Sequence, residues 1–148
     1  MIQDNIAMHK PMTECFEYQH TVLDDEIDEQ GHANNVVFVA WMQAAAIAHT
    51  KALGWTSEKY KQLGGGWVAR SHTIDYLQPA FAGEKLIVRT WVAAMKKVTS
   101  VRRYQIIREF DRKLLAKAET NWAFIDYATG KPKRIPAEII DLYKVAER

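Results

Sequence analysis

The sequence predicts an α+β fold in which one curved antiparallel β-sheet wraps a single long central α-helix. Three observations carry that expectation. Residues 36–50 are nearly devoid of charge; their Ala, Met and Gln content favours helix, and Gly54 supplies a C-terminal stop. Four segments rich in β-branched and aromatic residues follow: 67–77, 85–95, 99–110 and 114–127. A helix apolar on nearly every side also needs burial around it, which a curved sheet provides better than a flat one.

Length and composition bound the rest. A chain of 148 residues with 48% hydrophobic residues and five Trp suits one domain with a sizeable core, spanning 1–148 with its core at about 15–145. The formal charge of +2 argues against a general polyanion binder, so no nucleic-acid partner is expected. A single cysteine, Cys15, excludes an intrachain disulfide and fits a reducing compartment. No apolar run is long enough to span a bilayer, and the first residues lack a secretory pattern. A cytoplasmic protein without a membrane partner is the expectation.

Taken in order, residues 1–13 read as a loose lead-in and 15–23 as a first strand, with Phe16, Tyr18, His20 and Val22 on one side. An acidic loop and the apolar helix follow. Residues 56–63 read as a short exposed helix, broken by Gly64-Gly65-Gly66. The four later strands are joined by short turns and read as an antiparallel meander. Pro136 opens a C-terminal helix with Ile139, Leu142, Tyr143 and Ala146 on one stripe. Long strands in an open sheet leave edges, so a homodimer or homotetramer is expected.

The chemistry-bearing residues sit just before the helix, in Glu26-Ile-Asp28-Glu29-Gln-Gly31-His32-Ala-Asn34-Asn35. A helix N-terminus carries unpaired N–H groups and a partial positive charge, suited to an oxygen gaining negative charge. Each residue also has a structural reading. Asp28 can be a turn former, His32 a loop hydrogen-bonder, and Asn34 and Asn35 caps. Glu26 and Glu29 read as solvated, and His49 as a core or interface histidine. The histidines lack metal-ligand spacing, so no metal is expected.

These residues carry a resemblance to a known family. Asp28-x-x-Gly31-His32-x-Asn34-Asn35, followed by Phe38 and Trp41, resembles the loop of hotdog-fold thioesterases of the 4-hydroxybenzoyl-CoA thioesterase type and their acyl-CoA hydrolase relatives. Ile74-Asp75-Tyr76-x-x-Pro79-Ala80, Gly83-Glu84-Lys85-Leu86-x-Val88 and Ile135-Pro136-Ala137-Glu138 continue it in order. Two positions depart from it: Glu26 stands where many relatives have Asp, and Gln43 then Ala45-Ala46-Ile47 where many have Glu then Ala-Arg.

The resemblance implies an acyl-CoA thioesterase that releases a fatty or aromatic acid and CoA without a cofactor. It implies Asp28 as general base or nucleophile and the Asn35 backbone N–H as oxyanion donor. Gly31 would bend the loop, His32 and Asn34 would orient the carboxylate or contact the acyl group, and Gln43 stands either to face the acyl pocket or to pair inside the core. Lys96, Lys97, Arg102 and Arg103, grouped with Arg108 and Arg112, are candidates for the phosphates of CoA, with Lys131, Lys133 and Arg134 as a second basic group. Two alternatives stand beside this: an acyl-acyl carrier protein thioesterase and a non-catalytic acyl-thioester-binding module.

Overall fold

The computed structural model describes residues 14–143. The lead-in at 1–13 and Ala146 of the C-terminal stripe lie outside them. In chain order the elements are β1 (Phe16–Thr21), a 3-10 turn (Asp24–Glu26), α1 (Asn35–Ala52), α2 (Ser57–Leu63), β2 (Gly65–Tyr76), β3 (Lys85–Met95), β4 (Thr99–Arg108), β5 (Leu114–Asp126) and the single turn α3 (Ala137–Ile140). The five strands form one antiparallel sheet in the order β1-β3-β4-β5-β2.

That order corrects one expectation. Strands β3, β4 and β5 form a meander, but β2 does not join it as a hairpin. Both edges of β3 are taken, by β1 and β4. The free edge of β5 offers β2 a long partner, from Gly65 opposite Asp126 to Tyr76 opposite Ala116. Leu77 and Gln78 extend this contact through N–H bonds to the Leu115 carbonyl. Residues 77–84 then cross back to β3. Register shifts at Ala69/Ser71, Val92/Ala94 and Ile106/Ile107 mark bulges, which bend strands and curve the sheet.

The hollow of the sheet holds one stripe of α1: Phe38, Trp41, Met42, Ala45, Ala46 and His49. Leu86, Val88, Tyr104, Ile106 and Leu115 pack around its first half. A second cluster, with Trp55, Val92, Phe124, Ile135, Ile139 and Tyr143, closes the other end. In a single chain the wrap is one-sided. Val36 (73% exposed) and Ile47 (65% exposed) lie on the uncovered side of α1, as do Ala40 and Gln43. Among the described residues no single helix is long and apolar enough to cross a membrane.

Both ends of α1 are fixed locally. The Asn34 side chain accepts from the Val36 N–H at 2.9 Å, the ordinary N-cap bond. Gly54, at φ +94°, follows the last turn and donates to the Lys51 carbonyl. A left-handed residue there favours glycine.

Candidate active site

Residues 27–33 form a tight loop at the N-terminal mouth of α1. Ile27 and Ala33 make an isolated antiparallel bridge. Inside it the Asp28 N–H donates to the His32 carbonyl and the Gly31 N–H to the Asp28 carbonyl, each at 3.0 Å. Gly31 closes the turn at φ +88°, a left-handed position. The Gln30 N–H donates to Asp28 Oδ1 at 2.9 Å, so one carboxylate oxygen of Asp28 serves the turn. Its other oxygen accepts no hydrogen bond from the described residues, and the side chain is 27% exposed. His32 Nδ1 lies 3.9 Å from Asp28 Oδ1 and 3.3 Å from the Ala33 carbonyl.

Asn35 is the first residue of α1, and its N–H belongs to the first turn, where no intrahelical acceptor exists. The neighbouring donors are used: the Asn34 N–H bonds the Glu26 carbonyl and the Val37 N–H bonds the Asn34 carbonyl. The Asn34 side chain is committed to the cap. The Asn35 N–H thus has no acceptor among the described residues, at the end of the loop that carries Asp28.

Contacts that the sequence did not disclose hold this mouth in place. Glu26, expected to be solvated, is instead the hub of the loop. Its carboxylate accepts from the Leu23 N–H (2.9 Å), His20 Nε2 (2.9 Å) and Trp41 Nε1 (3.0 Å). Burial pushes its pKa up, but these donors outweigh burial and hold the carboxyl below its ordinary range. Tyr76, at the end of β2, donates to the Asn35 carbonyl at 3.0 Å, and its ring meets Phe38 edge-on. The Ala33 N–H donates to the Ala80 carbonyl at 2.7 Å, joining the loop to the crossover. Arg108 anchors that crossover through the Pro79 carbonyl, Glu84 and Asp111. No spacing rule links His20, Glu26 and Trp41, or Arg108 and Pro79; only the fold brings them together.

A cavity with a volume of about 740 Å³ lies elsewhere, against the C-terminal half of α1. Gln43, Ile47, Tyr60, Trp67, Arg102 and Trp122 are among its walls. Gln43 is exposed at its edge rather than paired in the core. Asp28, Gly31, His32, Asn34 and Asn35 do not line it. About 20 Å of helix separates Asn35 from His49, at 1.5 Å per residue.

The basic group around β4 divides. Successive strand residues point to opposite faces. Arg102 turns into the hollow, 5% exposed, and donates from Nη1 to His49 Nδ1 (3.0 Å) and Thr90 Oγ1 (3.1 Å). Arg103 turns outward and pairs with Glu119 at 3.1 Å. The two therefore cannot belong to one phosphate site. Lys96 and Lys97 stay exposed on the β3–β4 turn. The Ile135 N–H bonds the Lys97 carbonyl, so this turn lies beside Lys133 and Arg134. Two basic groups distant in sequence thus meet at one end of the molecule.

His49 is a core histidine. It stacks on Phe16 with ring centroids 5.0 Å apart and meets Tyr143 edge-on. An arginine can only donate, so Nδ1 accepts and the ring proton sits on Nε2. Among the described residues no group of three His, Cys, Asp or Glu side chains could hold a metal ion.

Comparison with known proteins agrees with this architecture. The family model described as the thioesterase-like superfamily matches residues 22–142. A 1,4-dihydroxy-2-naphthoyl-CoA thioesterase from Synechocystis superposes with a TM-score of 0.80 at 19% identity, over 86% of this chain and 94% of that one. A Staphylococcus aureus protein solved in complex with CoA gives 0.82 at 14% identity, over 90% and 84%. An acyl-ACP thioesterase from Bacteroides thetaiotaomicron gives 0.80 at 24% identity, over 90% of this chain and 54% of that one.

Proposed function

The chain belongs to the thioesterase-like superfamily and is a thioester hydrolase of the hotdog fold, and from that premise we propose that it cleaves an acyl-CoA to the free acid and CoA. The observation that carries this reading is the pairing at the mouth of α1. Asp28 holds one oxygen in the turn and keeps the other open, in the loop that leads into a helix start whose Asn35 N–H has no acceptor among the described residues. Asp28 acts as general base toward water or as nucleophile, and the Asn35 N–H takes the developing oxyanion charge. Gly31 shapes the turn and His32 stands within reach of the carboxylate. This chemistry calls for no metal or organic cofactor.

The acyl and CoA sites follow from symmetry. Among the described residues strand β2 is an open edge, and the uncovered side of α1 presents Val36 and Ile47. Pairing of two β2 strands across a two-fold axis removes both exposures. Strand β2 runs antiparallel to α1, since Tyr76 at its end touches Asn35 at the start of the helix. The two-fold then brings the cavity of one copy beside the helix mouth of the other. The acyl group enters that cavity past Gln43, and the basic end with Lys96, Lys97, Lys133 and Arg134 receives the phosphates. The enzyme is thus a homodimer whose site both copies build.

The likeness to an acyl-ACP thioesterase favours a second carrier for the same chemistry. A thiol-release assay over short, long and aromatic acyl-CoA thioesters, with matched acyl carrier protein thioesters, tests both. Turnover of CoA thioesters is expected. Turnover of carrier-protein thioesters alone would move the substrate to the second reading, and turnover of neither would overturn the proposal.

A further inference from the structure

The cavity against α1 contains a positive charge that no acid among the described residues neutralises. Arg102 is only 5% exposed, and buried arginines are normally paired. Its described partners are all neutral: His49 Nδ1, Thr90 Oγ1 and the face of Tyr143, whose ring centre lies 5.8 Å from the guanidinium carbon. Among the described residues only Nη1 has an acceptor, and Nε and Nη2 have none, in a side chain that lines the cavity. Two more donors in the same wall are in the same condition. The Trp122 indole N–H and the Tyr60 hydroxyl are buried and make no hydrogen bond of good geometry among the described residues, although Tyr104 lies near the first and Thr50 and Trp67 near the second. The one carboxylate on the wall, Glu58, is exposed on α2.

Buried donors without acceptors are costly, and a cation among them more so. Three of them in one cavity, amid Ile47, Trp67 and Val92, describe a pocket that is apolar along its length and acceptor-seeking at one place. A plain hydrocarbon chain would fill the volume and leave every one of these donors stranded. A carboxylate would accept from the guanidinium and from a neighbouring indole or hydroxyl together.

We infer that the cavity selects an acyl group bearing an anionic oxygen terminus, a carboxylate at the end distal to the thioester, with Arg102 as its charge partner and Trp122 and Tyr60 as neutral donors. This rests on the thioesterase reading for the CoA carrier, but recognition of the distal carboxylate is a property of the cavity itself.

The test measures binding, so that it stands whether or not hydrolysis is found. Carboxyalkyl and alkyl thioethers of CoA, matched in chain length and inert to hydrolysis, are titrated by calorimetry. Arms cover the native protein, Arg102→Met, Arg102→Lys and Trp122→Phe. The native protein is expected to bind the carboxyalkyl form about tenfold or more tightly than the alkyl form. Arg102→Met should erase that preference while keeping alkyl binding, Arg102→Lys should restore part of it, and Trp122→Phe should reduce it. Equal binding of the two forms by the native protein would overturn the inference. So would an unchanged preference in Arg102→Met, or equal losses for both ligands in Arg102→Met and Trp122→Phe. Failure of the proposed hydrolysis would instead appear as absent thiol release, with the binding comparison intact.

Discussion

Trp41 donates its indole N–H to Glu26 at 3.0 Å, and this bond fastens the second turn of α1 to the loop that carries Asp28. Trp41 is itself 2% exposed and packed in the hollow of the sheet. The core thus helps to set the orientation of the loop through one carboxylate.

Glu26→Gln is expected to lower stability by about 1.5–3 kcal/mol, the usual scale for hydrogen bonds to a charged group. The pH dependence has a definite sign. Burial raises the Glu26 pKa, but the Leu23, His20 and Trp41 donors lower it further, so the folded protein binds this proton less readily than the unfolded chain. Its contribution is complete above the ordinary carboxylate range and is lost as pH falls through the lowered folded value. Thermal melts from neutral to acid pH should show a smaller loss of Tm in Glu26→Gln than in the native protein. Parallel curves would contradict this.

Arg108→Met should act at a distance. Arg108 holds the Pro79 carbonyl at 3.2 Å and Asp111 at 2.9 Å, and the Ala80 carbonyl receives the Ala33 N–H. Loss of the guanidinium frees the crossover, and with it one wall of the loop. A destabilisation of about 2–3 kcal/mol should accompany a fall in kcat larger than any change in KM. Native kcat in a folded variant would show that the crossover does not position the loop.

Ile47→Lys tests the two-copy site. Ile47 is 65% exposed on the uncovered side of α1, so the change costs a single chain little. At a buried two-fold contact it brings two uncompensated charges together. Sedimentation should shift from dimer to monomer and thioester hydrolysis should fall with it. A monomeric native protein, or a fully active monomeric variant, would refute the shared site.

Much of the fold was legible because its signals are local. The charge-free run at 36–50, the stop at Gly54, the N-cap at Asn34 and the alternating strands each depend on neighbours in sequence. The place of β2 was not, because it depends on which edges β1 and β4 leave open. The same division runs through the site. Asp28, Gly31 and Asn35 are candidates because one loop of the sequence resembles a family motif. Glu26 was misread because an isolated loop carboxylate looks solvated until His20 and Trp41 are folded against it. Arg102 and Arg103 looked like one basic patch because adjacency in sequence hides that strand neighbours face opposite ways.

The most direct measurement is kcat/KM of Asp28→Asn on the best acyl-CoA substrate, with the fold checked by circular dichroism. Asparagine keeps the oxygen that accepts the Gln30 N–H, so the turn should survive. Removal of the base or nucleophile should lower kcat/KM by about a hundredfold or more. Native turnover by the folded Asp28→Asn variant would contradict the central claim.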